Sequence, residues 1–214
     1  MDNSGRIEPI DTDAVLWSAN ERDRVGRPLL VILHGFGSHE GDLFALTPHL
    51  SLRPVMASLR APLSTGNGWA WFPLDRDEGS EALDAATLGV LQWLDDLETP
   101  PTSVGLLGFS QGGVMALQLM RHAPDRFDFA VQLSGFVAPA PHPGDDRLAE
   151  RRPPVFWGRG TSDEVIPGDA VDWTQDWLPE HATLTERIYE GMPHTVSDAE
   201  LRDVVGFLRE QYGS

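Results

Sequence analysis

The chain has 214 residues, no cysteine and a formal net charge of −17. The lack of cysteine excludes a thiol nucleophile, a disulfide framework and a cysteine zinc site, and because all 16 basic residues are arginine, Schiff-base chemistry and a phosphate-loop lysine are excluded too. So negative a charge repels phosphate backbones and anionic lipid surfaces, and we therefore expect no nucleic-acid partner and no stable membrane association.

Apolar runs alternate with helical patterns along the chain, which predicts one α/β domain over residues 1–214 with a mainly parallel sheet covered on both faces. Predicted strands lie near residues 15–18, 29–33, 54–59, 104–108, 128–133, 154–158 and 183–189. Predicted helices lie near residues 42–50, 81–97, 111–122, 168–178 and 198–212, and Ser80 should cap the second. The first residues do not resemble a signal peptide and no run has membrane-spanning length, so we expect a cytoplasmic protein.

The apolar strand at residues 29–33 runs directly into His-Gly-Phe-Gly at residues 34–37. The two glycines either make a simple turn or let the backbone fold back and present the N–H of Phe36. His34 could act as a base only in a chymotrypsin-like order, which the alternation of strands and helices does not favour. We expect no metal, because no standard ligand spacing is found among the neighbouring residues His34, His39, Glu40 and Asp42.

Residues 61–78 form a predicted loop that carries three aromatic side chains, Trp69, Trp71 and Phe72. Aromatic side chains in such a loop either line an acyl pocket or pin the loop to the body of the protein, and the sequence leaves both interpretations open. These three residues are the candidate substrate pocket.

Residues 104–113 contain an apolar strand, the pattern Gly-Phe-Ser-Gln-Gly and the start of a helix. A strand, a sharp turn and a helix lift a serine hydroxyl to the edge of a sheet, so Ser110 is the candidate nucleophile. The backbone N–H of Gln111 would be one donor to an oxyanion, and the N–H of Phe36 would be the second. Ser134 also follows a predicted strand, but no helix follows it, and we interpret it as a structural turn.

A nucleophilic serine needs a base that takes its proton and a third group that orients the base. Asp163 follows the strand at 154–158 and His194 follows the strand at 183–189, which gives the order Ser, Asp, His at strand ends. The rival carboxylates are Glu164, Asp169 and Asp172, of which the last two fit the start of a helix. The rival histidines, at a helix end, in a proline-rich loop and at the opposite edge of the sheet, are His122, His142 and His181.

Four motifs in this order resemble the phospholipase/carboxylesterase family of α/β-hydrolases, which includes the acyl-protein thioesterases: residues 34–37, 108–112, 160–167 and 191–194. The resemblance implies an α/β-hydrolase fold and serine hydrolysis of carboxylic esters without a metal or organic cofactor. Only residues 136–153 stand where other α/β-hydrolases insert a cap domain, so we expect none. The chain departs from the family pattern at Arg159, where members often have histidine, and in residues 68–74, which match a Trp-Phe-Asp segment only loosely.

The main hypothesis is a serine hydrolase of esters, with thioesters and lysophospholipids as further candidates, that forms an acyl-enzyme on Ser110. One alternative is a small-ligand-binding protein on the same fold, and another is a triad enzyme with different acyl-transfer chemistry. We expect a small ester or acyl substrate as the partner, and a monomer or homodimer.

Overall fold

The computed structural model describes residues 7–50, 53–74 and 76–213. Its main sheet has seven strands, β1 (Leu16–Trp17), β2 (Leu29–Leu33), β3 (Val55–Leu59), β6 (Val104–Phe109), β7 (Phe129–Leu133), β8 (Pro154–Gly160) and β9 (Thr183–Tyr189). A separate pair is formed by β4 (Leu63–Ser64) and β5 (Trp69–Ala70). The helices are α1 (Gly41–Phe44), α2 (Arg76–Asp95), α3 (Gln111–His122), α4 (Asp145–Arg151), α5 (Gly168–His181) and α6 (Asp198–Tyr212), with 3-10 turns at Thr12–Ala14, Glu21–Asp23 and Thr47–His49.

The strand order is β1-β3-β2-β6-β7-β8-β9, and every neighbouring pair is parallel except β1 and β3. Parallel strands need crossover connections, and the helices that make them cover both faces of the sheet. The fold is that of an α/β-hydrolase. It agrees with the predicted mainly parallel sheet.

Side-chain alternation along the strands divides the core into two layers. In β2, Leu29, Val31 and Leu33 share one cluster with residues of α2, α3, α4 and α5. Leu30 and Ile32 point the other way and share a cluster with residues of α1 and α6. Because both faces are buried, the strand is apolar at every position, which explains why it reads as one continuous hydrophobic run.

Several helix boundaries differ from the predictions. Helix α2 begins at Arg76, so the prediction that Ser80 caps it is wrong, and Ser80 lies exposed within the helix. The burial of apolar side chains farther along the helix stabilises it more than the low helix propensities of Gly79 and Ser80 destabilise it. Helix α5 continues past Pro179 to His181, three residues beyond the predicted end at residue 178.

Helix α4 is the main element that the sequence did not predict. It occupies seven of the residues between β7 and β8, and Leu148 is its one buried residue. So short a connection contains no cap domain, in agreement with the expectation. In the described ranges, no helix combines the length and apolar character that a membrane crossing requires.

The strand register brings several loops to one edge of the sheet. Leu33 at the end of β2 pairs with Gly108 of β6, and Phe109 pairs with Leu133 at the end of β7. The segments that follow β2, β6, β8 and β9 therefore meet at the carboxyl-terminal edge. The candidate residues from all four segments lie there.

Candidate active site

Ser110 lies in a sharp turn between β6 and α3. Its backbone has φ 54° and ψ −119°, a conformation that L-residues rarely adopt and that costs about 1–3 kcal/mol. The surrounding hydrogen bonds hold this geometry, because the Ser110 N–H donates to the carbonyl of Leu133 at 2.8 Å and the Ser110 carbonyl accepts from Gly113 N–H at 2.9 Å. The residue is 9 % exposed. The turn therefore presents the serine at the edge of the sheet.

Two glycines allow this turn to pack closely. A Cβ atom at Gly108 would lie 2.0 Å from the carbonyl oxygen of Gly112, and one at Gly112 would lie 1.9 Å from the carbonyl oxygen of Leu33. Both distances are far below any van der Waals contact. The turn thus needs glycine at both positions, as the sequence pattern indicates.

Asp163 and His194 meet through a hydrogen bond across the same edge. His194 Nδ1 lies 2.7 Å from Asp163 Oδ2, and both side chains are largely buried. Asp163 Oδ1 also accepts the N–H groups of Val165 at 2.9 Å and Ile166 at 3.2 Å. Since the carboxylate can only accept, Nδ1 carries the proton and Nε2 is left as the basic atom of the imidazole.

The surroundings keep Asp163 ionised. Burial alone would raise the pKa of its carboxyl, but the hydrogen bonds from His194, Val165 and Ile166 outweigh burial and lower the pKa below its ordinary value. The resulting negative charge lies beside the imidazole of His194. This is the electrostatic role that an orienting carboxylate has beside a base.

The Asp163 and His194 loops are also tied to each other. Gly191 N–H donates to Thr161 Oγ1 at 2.8 Å, and Ser162 N–H donates to the Met192 carbonyl at 3.1 Å. These bonds fix the spacing of the two side chains independently of the bond between them. The hydrogen-bonded pair is therefore preorganised.

Phe109, the residue before the serine, contacts the imidazole. The rings of Phe109 and His194 have centroids 4.8 Å apart at an interplanar angle of 44°. Within the described residues, no hydrogen bond joins Ser110 Oγ to His194. Such bonds are often long in unliganded enzymes and tighten with substrate. Phe109 thus packs against the imidazole beside the turn, a contact that the sequence did not predict.

The two candidate oxyanion donors have free N–H groups. Neither Phe36 N–H nor Gln111 N–H donates to another group in residues 7–50, 53–74 and 76–213. Gln111 is the first residue of α3, where an N–H has no partner within the helix. Gly35, next to Phe36, lies against the ring of Phe109 and the Cβ of Ser110. The two donors therefore belong to neighbouring segments beside the serine.

His34 has a structural position instead of a basic one. Its Nε2 accepts the Ala61 N–H at 3.1 Å, so its Nδ1 must carry the proton that it donates to the Gly35 carbonyl at 2.8 Å. Burial lowers the pKa of the imidazole, which keeps it neutral. Both nitrogens are engaged, so neither can take a proton from Ser110.

The three aromatic candidates occupy different environments. Trp71 is 0 % exposed and donates from its indole Nε1 to the His34 carbonyl at 2.8 Å, while Phe72 packs in the same core cluster. Trp69 is half-buried, with the Arg60 guanidinium 5.0 Å from its ring centroid. For Trp71 the structure favours the pinning role over the pocket role, because a side chain with no exposed surface cannot line an open site.

The rival residues lie elsewhere. Glu164, Asp169 and Asp172 are exposed, and Asp169 is in the first turn of α5. His122 pairs with Asp84 at 3.0 Å, and its ring centroid lies 4.3 Å from that of His142. His181 stacks on Trp177. None of these contacts involves Ser110, Asp163 or His194.

Comparisons with known proteins show what the chain and its fold are similar to. The model of the family described as Phospholipase/Carboxylesterase matches residues 18–212. The chain is 25 % identical over 211 residues to acyl-protein thioesterase 1 of Candida albicans, an alignment that covers 84 % of this chain and 90 % of the relative. The structure superposes on the Bacillus cereus carboxylesterase with a TM-score of 0.78, at 19 % identity and with 92 % and 93 % of the two chains covered. It superposes on esterase PE8 with a TM-score of 0.71, at 28 % identity and with 87 % and 93 % covered.

Proposed function

Because the chain belongs to the phospholipase/carboxylesterase family of α/β-hydrolases, we propose that it hydrolyses carboxylic esters with Ser110, His194 and Asp163 as a catalytic triad. The observation that carries the proposal is the 2.7 Å hydrogen bond between Asp163 and His194, at the edge where the strained turn presents Ser110. A carboxylate that orients a neutral imidazole beside a serine is the arrangement that acyl transfer requires.

In the first half of the reaction, Ser110 Oγ attacks the carbonyl carbon of the ester. His194 Nε2 takes the hydroxyl proton as the Oγ–C bond forms, and the carbonyl electron pair moves to oxygen. The N–H groups of Phe36 and Gln111 donate to this oxyanion. His194 then gives its proton to the leaving alcohol or thiol as the C–O or C–S bond breaks, which leaves an acyl group on Ser110.

In the second half, water replaces the leaving group. His194 removes a proton from the water, the oxyanion forms again in the same place, and the Oγ–C bond breaks as the proton returns to Ser110. Asp163 stabilises the imidazolium in both halves without taking its proton. The chain's own residues supply every proton transfer in this scheme.

The openness of the edge supports small acyl substrates as the substrate class. The segment between β7 and β8 holds only the short helix α4, and Phe36, Leu74 and Val165 are exposed apolar side chains in loops at this edge. Apolar rims around an open site favour esters with an acyl chain that contacts them. The name of the Candida albicans relative adds thioesters to the candidates.

A panel of p-nitrophenyl esters from acetate to palmitate tests the proposal. We expect Ser110→Ala to lower kcat/KM by about 10⁴-fold or more, because removing the nucleophile removes the acyl-enzyme route. Ser134→Ala is the matched control, since Ser134 also ends a strand with a positive φ of 46° yet belongs to no proposed step. Ser110→Ala with the activity of the native protein would overturn the proposal.

A further inference from the structure

The side chain of Gln111 makes two hydrogen bonds to the backbone of a segment 40 residues away. Its Oε1 accepts the Trp71 N–H at 3.0 Å, and its Nε2 donates to the Phe72 carbonyl at 2.7 Å. Gln111 is 5 % exposed, so these bonds replace water completely. The amide thus occupies the place that a neighbouring strand would otherwise take along this irregular segment.

The same segment is bonded to the loop that carries the other candidate oxyanion donor. The Gly37 N–H donates to the Trp69 carbonyl at 2.9 Å, and the Trp69 N–H donates to the Ser38 carbonyl at 2.8 Å. On the other side of Phe36, the Trp71 indole donates to the His34 carbonyl. These attachments flank Phe36 in sequence, so the segment 69–72 holds its loop at both ends.

The two sets of contacts form a closed connection between the donors. Gln111 fixes the segment 69–72 to the start of α3, and the segment fixes the loop around Phe36. The loop also approaches the turn directly, since a Cβ at Gly35 would lie 3.2 Å from the Phe109 ring and 3.4 Å from the Ser110 Cβ. These side-chain and backbone bonds therefore connect the two segments without using either of the free N–H groups.

We propose that the Gln111 side chain is a positioning residue, which sets the spacing of the Phe36 and Gln111 N–H donors through the segment 69–72. The inference rests on the proposed function, since it concerns the site where that reaction would place its oxyanion. Any residue except proline at position 111 keeps the backbone N–H, so the side chain can be tested separately from the donor. Gln111 would then act through geometry, without touching the reacting atoms.

The test uses Gln111→Met, which keeps the length of the side chain and removes both hydrogen bonds. Gln118→Met is the matched control, because Gln118 lies on the same helix, is also 5 % exposed, and bonds Asp84 and Arg121 away from the site. We expect Gln111→Met to lower kcat by about 100-fold with KM nearly unchanged, the loss typical of a small misplacement of catalytic groups. Gln118→Met should keep kcat within about twofold of the native protein.

A trifluoromethyl ketone provides a readout that a merely structural role would not move. It adds to the serine as the hydroxyl proton moves to His194, and the resulting tetrahedral adduct carries an oxyanion. Its affinity for Gln111→Met should fall by the same factor as kcat/KM. Trp71→Phe, which removes the bond to the His34 carbonyl together with part of the buried ring, should show the same pattern.

The outcomes separate this inference from the proposed function. If Ser110→Ala is as active as the native protein, the proposed function fails whatever Gln111 does. If Ser110→Ala is inactive but Gln111→Met and Trp71→Phe keep native kcat and inhibitor affinity, only the positioning role is overturned. A fall of kcat and inhibitor affinity in Gln118→Met equal to that in Gln111→Met would also overturn it, because the loss would then come from the helix and not from the connection.

Discussion

Glu200 should make the protein less stable as the pH rises from 5 to 8. Its side chain is 0 % exposed, neither carboxyl oxygen has a hydrogen-bond partner among the described residues, and Oε1 lies 2.1 Å from the position that a Cβ of Gly158 would take. Burial raises the pKa of the Glu200 carboxyl from 4.5 to about 7; the nearby Asp203 adds to this, and the backbone of Ser197 opposes it. The folded chain therefore keeps a proton that the unfolded chain has already lost.

The size of the effect follows from the difference between the two pKa values. A folded pKa of about 7 against an unfolded value of 4.5 corresponds to about 3 kcal/mol at 1.36 kcal/mol for each pH unit. This stability is fully present below pH 4.5 and is lost as the pH rises to about 7, because only the unfolded state releases the proton in that interval. From pH 5 to pH 8 the loss is about 2.5 kcal/mol.

Urea unfolding followed by tryptophan fluorescence at pH 5, 6, 7 and 8 measures this loss. Glu200→Gln keeps the shape of the side chain and cannot ionise. Between pH 5 and pH 8 its free energy of unfolding should therefore rise by about 2.5 kcal/mol relative to that of the native protein. Glu210→Gln, at an exposed position of the same helix, should follow the native pH dependence. Parallel curves for the native protein and Glu200→Gln would show that Glu200 does not retain its proton in the folded chain.

Three further changes have expected outcomes. Asp163→Asn should lower kcat on p-nitrophenyl butyrate by about 10⁴-fold without changing the circular dichroism spectrum, because the amide stabilises the wrong tautomer of the imidazole. A loss of kcat below tenfold would contradict the role of Asp163 as the orienting carboxylate. Gly112→Ala should abolish activity and lower the urea midpoint, since the new Cβ would lie 1.9 Å from the Leu33 carbonyl oxygen. Gly206→Ala is the control, because a Cβ there meets open space in α6, and it should raise stability by about 1 kcal/mol. Equal effects of the two substitutions on the urea midpoint would contradict the packing argument. Raising NaCl from 0.05 to 1 M should raise the urea midpoint at pH 7, because salt screens the repulsion within a chain of net charge −17, and a lower midpoint would contradict this.

The elements that could be predicted from the sequence are those with a local physical signal. Strand β2 is apolar at every position because both of its faces are buried. The start of α6 is indicated by the N-cap residue Ser197, whose hydroxyl accepts the Glu200 N–H at 3.1 Å. Helix α4 lacks such a signal, since Leu148 alone of its residues is buried and one apolar residue makes no stripe. The strands of the β4–β5 pair have only two residues each, too few for alternation to be read.

The candidate site likewise has features that the sequence predicts and contacts that it does not. The order of Ser110, Asp163 and His194 along the chain is a property of the topology, so motifs at strand ends predicted where each would lie. The contact of Phe109 with His194 and the bonds of Gln111 to Trp71 and Phe72 join residues that are far apart in sequence. Neither spacing nor composition reports such pairs. They become visible only when the folded segments are placed side by side.

The most direct test of an activated Ser110 is the intact mass of the protein after exposure to a fluorophosphonate, measured beside Ser110→Ala and His194→Ala. We expect one adduct on the native chain, none on Ser110→Ala and greatly slowed labelling of His194→Ala, because the imidazole activates the serine. A folded native chain that takes no label, or a Ser110→Ala chain that labels at the native rate, would contradict this expectation and favour a ligand-binding protein on the same fold.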